Sequence, residues 1–138
     1  MPLWIQISAG SHEPVYIQIA ERISEAVARQ ELSPGDRLPA VRKLAAELVV
    51  NPNTVARAYA RLEQAGLVTT KAGCGTFVSD PRLRRADAAD LNALTERIDT
   101  LIARGVNLGL QPQDLIEMFR DRLARFVARP KSEKNRNE

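Results

Sequence analysis

The chain has 138 residues, 44% of them hydrophobic and 27% charged, which suits one ordinary domain, or one small domain with an appendage, and excludes an intrinsically disordered protein. No apolar run approaches the roughly 20 residues a membrane-crossing helix needs, and Met1–Ser8 lacks the basic start and long apolar core of a secretory leader, so no membrane partner is expected. A single Cys cannot close an internal disulfide, and the expected location is the reducing cytoplasm.

The net charge of +3 is a weak guide until it is placed. Residues 1–80 carry eight basic and eight acidic side chains, and residues 81–138 carry twelve and nine. An anionic partner must therefore be met by a local patch. One exists: Arg42, Lys43, Arg57 and Arg61 stand between Pro39 and Leu62 against Glu47 alone. Glu13, Glu21, Glu25, Glu31 and Asp36 precede it, so the N-terminal half should have one positive and one negative face.

In chain order, Leu3, Ile5 and Ile7 alternate with polar neighbours and suggest a short strand or an extended arm. Tyr16, Ile19, Ala20, Ile23 and Val27 follow helical spacing after Pro14, a residue suited to a first turn. Pro34-Gly35 breaks that helix, and Arg37-Leu38 can add one or two strand residues. A second helix starts near Ala40 and turns Val41, Leu44, Ala45 and Leu48 inward, leaving Arg42, Lys43 and Glu47 outside. Val49-Val50-Asn51 forms a turn. Asn51 is a good N-cap, Pro52 fits the first position of a third helix, and Gly66 ends that helix after about Ala65.

The third helix carries two different faces. Val55, Ala58, Tyr59 and Leu62 fall on one, Asn53, Arg57, Ala60 and Gln64 on the other, with Thr54 and Arg61 on a flank. Ala56 and Ala60 are small enough to admit base edges, Arg57 can grip a guanine bidentately, and Asn53 can read an adenine. Asn53 and Thr54 also lie where a helix N-terminus favours a phosphate. Leu67–Lys71 and Thr76–Val78 then read as a hairpin with its turn at Ala72–Gly75. The fold class is mainly α with a small β-hairpin: an N-terminal winged helix-turn-helix over residues 1–80, which lays its second helix in the DNA major groove.

After an Arg-rich linker at 82–86, a fourth helix from about Asp87 to Arg104 bears Leu91, Leu94, Ile98 and Leu101 in a seam of the a/d kind, and Gly105 is expected to stop it. Pro112 opens a fifth helix with Leu115, Met118, Phe119, Leu123, Phe126 and Val127 on its apolar side. Two helices alone bury too little surface to be stable. A second copy is the simplest partner, which makes residues 87–128 a two-helix dimerisation region with Leu91, Leu94, Ile98, Leu101, Leu115, Phe119, Leu123 and Phe126 at its interface. Residues 129–138 contain no apolar side chain and are expected to be a disordered tail.

Pro34-Gly35-Asp36-Arg37-Leu38-Pro39, Val41-Arg42, Val50-Asn51-Pro52-Asn53-Thr54-Val55 and Arg57-Ala58-Tyr59 resemble the GntR family of bacterial transcription regulators. Leu62-Glu63, Gly66-Leu67 and Gly73-Cys74-Gly75-Thr76-Phe77-Val78 extend the resemblance over roughly residues 13 to 79. The short two-helix region in place of a large effector domain is similar to the YtrA branch of that family. The resemblance implies a homodimeric winged-helix repressor on an inverted-repeat operator in double-stranded DNA. It assigns Arg42 to the DNA-contacting arginine of helix two, Asn53, Thr54 and Arg57 to the contacts of helix three, and Gly73 to the wing. Lys43, Arg61 and Lys71 are further candidates for phosphate contact from charge and position. The family usually has Gly in the turn where this chain has Val49, so either the turn takes another geometry or the chain carries a strain of roughly 1–2 kcal/mol. The wing tip, usually basic, is Ala72 and Cys74 here, so a weaker wing contact is expected.

Other readings are less well supported. A non-specific architectural DNA binder and a winged-helix adaptor for protein partners remain alternatives to a specific regulator. Cys74 lacks a neighbouring His or second Cys to activate it, and His12 stands too alone for a metal site. Gly73-Cys74-Gly75 lacks the Lys-Ser/Thr of a phosphate loop, and no nucleophile–base pair suggests an enzyme. No cofactor or metal is expected. A small-molecule effector in a crevice of the dimer is a further candidate partner whose identity the sequence does not indicate.

Overall fold

Apolar residues at helical spacing, punctuated by Pro, Asn and Gly, become the elements α1 (Val15–Ala28), α2 (Val41–Leu48), α3 (Pro52–Gln64), β1 (Val68–Lys71), β2 (Gly75–Val78), α4 (Ala88–Asn107) and α5 (Pro112–Val127). The computed structural model describes residues 5–8, 10–80 and 86–127. The chain divides into two compact units, Met1–Arg84 and Arg85–Glu138. The tail expected at 129–138 and all but Ala86 of the linker lie outside the described residues, as does Leu3 of the N-terminal arm.

In the first unit, α1, α2 and α3 enclose one core. Ile19 and Ile23 of α1, Leu44 of α2 and Val55 and Ala58 of α3 are fully inaccessible, with Leu38, Leu62, Val68 and Val78 nearly so. Each buried aliphatic side chain of this size contributes about 1.5–3 kcal/mol. Val41 and Leu48, expected inside, lie half-buried at the edge of this core. Ile5 and Ile7 pack on its margin without forming a strand at residues 5–8, so the arm reading holds there. Gln18, the buried polar residue of α1, anchors the arm: its Oε1 accepts from the Ser8 N–H at 2.8 Å, and its Nε2 donates to the Glu13 carbonyl at 2.9 Å.

The turn between α2 and α3 resolves the question raised by Val49. Its backbone is left-handed, φ 55° and ψ 52°, and its side chain is 89% exposed. The Val50 N–H reaches the Ala45 carbonyl at 3.0 Å, the six-to-one bond that closes a helix around a left-handed residue. The valine thus carries the strain and packs against almost nothing in return. Val49→Gly should stabilise the unit by about 1 kcal/mol after glycine's own entropy cost, raising Tm by about 4–8 °C in a thermal melt. An unchanged or lower Tm would contradict this account of the turn.

β1 and β2 pair antiparallel, with Val68 opposite Val78 and Lys71 opposite Gly75. The segment before α2 lines the other edge of β2: Arg37 bridges Phe77, and the Leu38 N–H donates to the Thr76 carbonyl at 2.8 Å. This matches the one or two strand residues expected at Arg37-Leu38.

In the second unit, Asp87 caps α4 reciprocally with Asp90: Asp87 Oδ1 accepts from the Asp90 N–H at 2.8 Å, and Asp90 Oδ2 accepts from the Asp87 N–H at 3.1 Å. The expected stop at Gly105 is overturned. α4 continues to Asn107, and Gly105 is buried inside it, where an added Cβ would overlap a methyl of Leu115. Gly105 is therefore where α4 lets α5 approach closely, while Gly109, at φ 87°, takes the left-handed position after the helix. Leu91, Leu94, Leu101, Phe119 and Leu123 are each more than half exposed, and Ile98 is 40% exposed. Leu115 and Phe126 are the better covered members of the expected interface set.

Candidate nucleic-acid interface

The geometry of the site begins with Asn51. Its Oδ1 accepts from the Asn53 N–H at 2.8 Å, capping α3, and Pro52 occupies the first position, where no N–H is needed. That cap fixes the helical phase. Val55, Ala58, Tyr59 and Leu62 go into the core, and Asn53, Ala56, Arg57, Ala60, Arg61 and Gln64 face outward, with Thr54 half-buried. The outer face thus presents amide, guanidinium and small methyl groups together. Arg42 and Lys43 are exposed at the start of α2, as expected, with exposed Glu47 a turn further on.

Tyr59 belongs to the core. Its hydroxyl donates to the Pro39 carbonyl at 2.7 Å, tying α3 to the entrance of α2 and leaving no proton for a phosphate. Burial, reinforced by the Glu47 charge, pushes its pKa well above 10.0. A raised folded-state pKa means that the native state holds the proton more tightly, so this stability is complete below pH 10 and falls as pH rises above it. Tyr59→Phe should cost about 0.5–1.5 kcal/mol at neutral pH and flatten the stability decline above pH 10 in denaturant titrations. An identical alkaline decline in wild type and variant would refute this role.

At the hairpin, Gly73 has φ 76°, and the Cys74 N–H donates to the Lys71 carbonyl at 2.9 Å. Lys71 Nζ lies 5.4 Å from the Phe77 ring centroid. Ala72 and Cys74 are exposed and bring no charge to the tip. Among the described residues no group of His, Cys, Asp and Glu could hold a metal, and no helix is long and apolar enough to cross a membrane.

Three contacts escaped sequence reasoning. The Arg57 guanidinium lies over the Tyr16 ring of α1, 4.0 Å from its centroid. The Arg37 side chain lies across Gly75, where an added Cβ would come within 2.7 Å of its Nε. Glu63, at the end of α3, accepts from the Thr70 N–H of β1 at 2.9 Å. Each joins different elements of the fold, and no periodic spacing signals them.

Residues 15–78 match the family model described as bacterial regulatory proteins, gntR family. The HTH-type transcriptional repressor YtrA of Bacillus subtilis (strain 168) is 33% identical over 117 residues, covering 85% of this chain and 90% of that protein. The chain belongs to the GntR family. A solved structure described as a transcriptional antiterminator from Listeria monocytogenes EGD-e has a TM-score of 0.81 at 27% identity and covers 90% of this chain and 92% of that one. The DNA-binding domain of AraR in complex with operator ORX1 has a TM-score of 0.51 at 26% identity, over 56% of this chain and 96% of that one. The elements themselves and the likeness to the Listeria monocytogenes structure over 90% of the chain bear out the winged helix-turn-helix followed by two C-terminal helices. This GntR protein is a sequence-specific DNA-binding transcription regulator, and its family is not an enzyme class.

Proposed function

We propose that the chain is a cytoplasmic repressor that binds a near-palindromic operator as a homodimer. The observation that carries this reading is the outer face of α3, where exposed Asn53 and Arg57 stand among exposed alanines on a rigidly capped helix. In this reading α3 enters the major groove, Asn53 and Arg57 read base edges, and Arg42, Lys43, Thr54 and Arg61 hold phosphates. Lys71 and the backbone around Gly73 supply a lighter contact from the wing. Residues 87–128 join two copies through the α4 seam and the apolar side of α5.

Two copies related by a twofold axis would place their recognition helices in successive major grooves about 34 Å apart. Selection of duplexes from a random pool, at a stated salt concentration, tests symmetry, spacing and specificity together. The expected product is an inverted repeat bound roughly 10³-fold or more tightly than bulk DNA. A pool that never narrows would favour the architectural binder. Arg57→Ala with unchanged DNA affinity would favour the protein adaptor.

A further inference from the structure

We infer that Tyr16 is a positioning residue for sequence recognition, an aromatic platform that holds Arg57 ready for a base edge. The inference rests on the proposed role of Arg57 and deepens it. The Arg57 guanidinium carbon sits 4.0 Å from the centroid of the Tyr16 ring. Among the described residues no ion pair involves Arg57, so the ring is the contact that orders an otherwise exposed and flexible side chain. The platform itself is held: Tyr16 lies in the first turn of α1, half-buried and packed against the core.

The chemistry of the guanidinium makes this arrangement productive. Its attraction to an aromatic ring uses the flat face, whereas its five N–H donors project in the plane. Stacking on Tyr16 therefore leaves the hydrogen-bonding edge free for the paired acceptors of a guanine, O6 and N7. An arginine already ordered loses less rotational freedom on binding, which is how preorganisation raises affinity. An ion pair with a carboxylate would order the side chain equally well, but it would occupy the donors that the base requires. Tyr16 orders Arg57 without competing for them.

The test uses the full chain and the duplex selected from the random pool, with bulk DNA as the reference. Tyr16→Phe keeps the ring and should keep wild-type affinity and preference. Tyr16→Leu should weaken binding to the selected duplex by about two- to fivefold, the worth of one such contact, and leave binding to bulk DNA unchanged. In an Arg57→Ala background the same substitution should have no further effect. Tyr16→Met, an unbranched helix former without a ring, serves should the leucine variant fold poorly. In NMR the Arg57 Nε–Hε resonance should be ring-shifted in wild type and Tyr16→Phe, and unshifted in the ringless variant. Equal losses with and without Arg57 would overturn the inference, leaving Tyr16 a purely structural role. Unchanged or tighter binding by the ringless variants would overturn it too, since the stack would then be idle or would hold Arg57 back. If Arg57→Ala itself leaves sequence preference intact, the base-reading assignment fails first and the platform has nothing to position.

Discussion

Arg57→Ala is expected to weaken operator binding by about 1–3 kcal/mol and to relax preference at one base pair in each half-site. Two properties of the side chain set this magnitude. It is exposed on the outer face of α3, so its loss opens no cavity in the core. Its fold-side contact is the Tyr16 ring, a stack worth only about 0.5–1 kcal/mol at an exposed site. The thermal melt should therefore move little while binding falls. The decisive measurement compares affinities for the operator, for the operator with each base pair replaced, and for bulk DNA at one salt concentration. A lost base contact weakens the preferred duplex selectively, whereas a lost phosphate contact lowers every sequence alike. Uniform weakening would move Arg57 from the base-reading group to the phosphate-holding group.

Ile98→Glu is expected to convert the protein to a monomer and to reduce operator affinity by about 10²–10⁴-fold. Ile98 stands in the middle of the α4 seam, with Leu91 and Leu94 before it and Leu101 after it, all substantially exposed. Apolar side chains in such a continuous row call for a covering surface, and in the proposed homodimer a second copy would supply one with the same periodicity. A carboxylate there would have to be buried unpaired, a cost of several kcal/mol. The DNA effect follows from linkage of two half-sites: once one module is bound, the second binds intramolecularly, and severing the pair forfeits that advantage. Sedimentation at micromolar concentration and operator titration check the two halves of the prediction. A wild-type protein that already sediments as a monomer, or a dimeric Ile98→Glu variant, would remove the seam from the interface.

Much of the winged helix could be read from local chemistry. Asn51 and Pro52 announce a helix start through a cap and a dispensable N–H, and Gly66, at φ 78°, marks its end as expected. The division of α3 into a buried and an outward face follows from periodicity alone, and every residue assigned to the buried face lies there. Gly105 was misread because glycine has two uses, and only packing distinguishes them. A glycine that stops a helix typically does so through a left-handed backbone, whereas Gly105 provides room for Leu115 within a continuous helix. Val49 shows the reverse limit. Propensity disfavours a valine in the left-handed region, yet the connection between α2 and α3 imposes that conformation. The Tyr16 stack, the Glu63 tie and the Gln18 anchor were illegible for a common reason. They depend on which helix, strand or arm segment comes to lie beside the side chain in space, and no periodic pattern encodes the partner.

The tie between Glu63 and Thr70 bears on how copies of the protein avoid one another. A two-stranded hairpin offers two raw edges, each a template for pairing with a strand of another molecule. On the β2 side, Gly35 and Leu38 already donate to the carbonyls of Val78 and Thr76. On the β1 side, the outward N–H of Thr70 is occupied by the Glu63 carboxylate, which also sets a negative charge on that edge. The wing can therefore project from the fold with both of its edges guarded against strand-to-strand association.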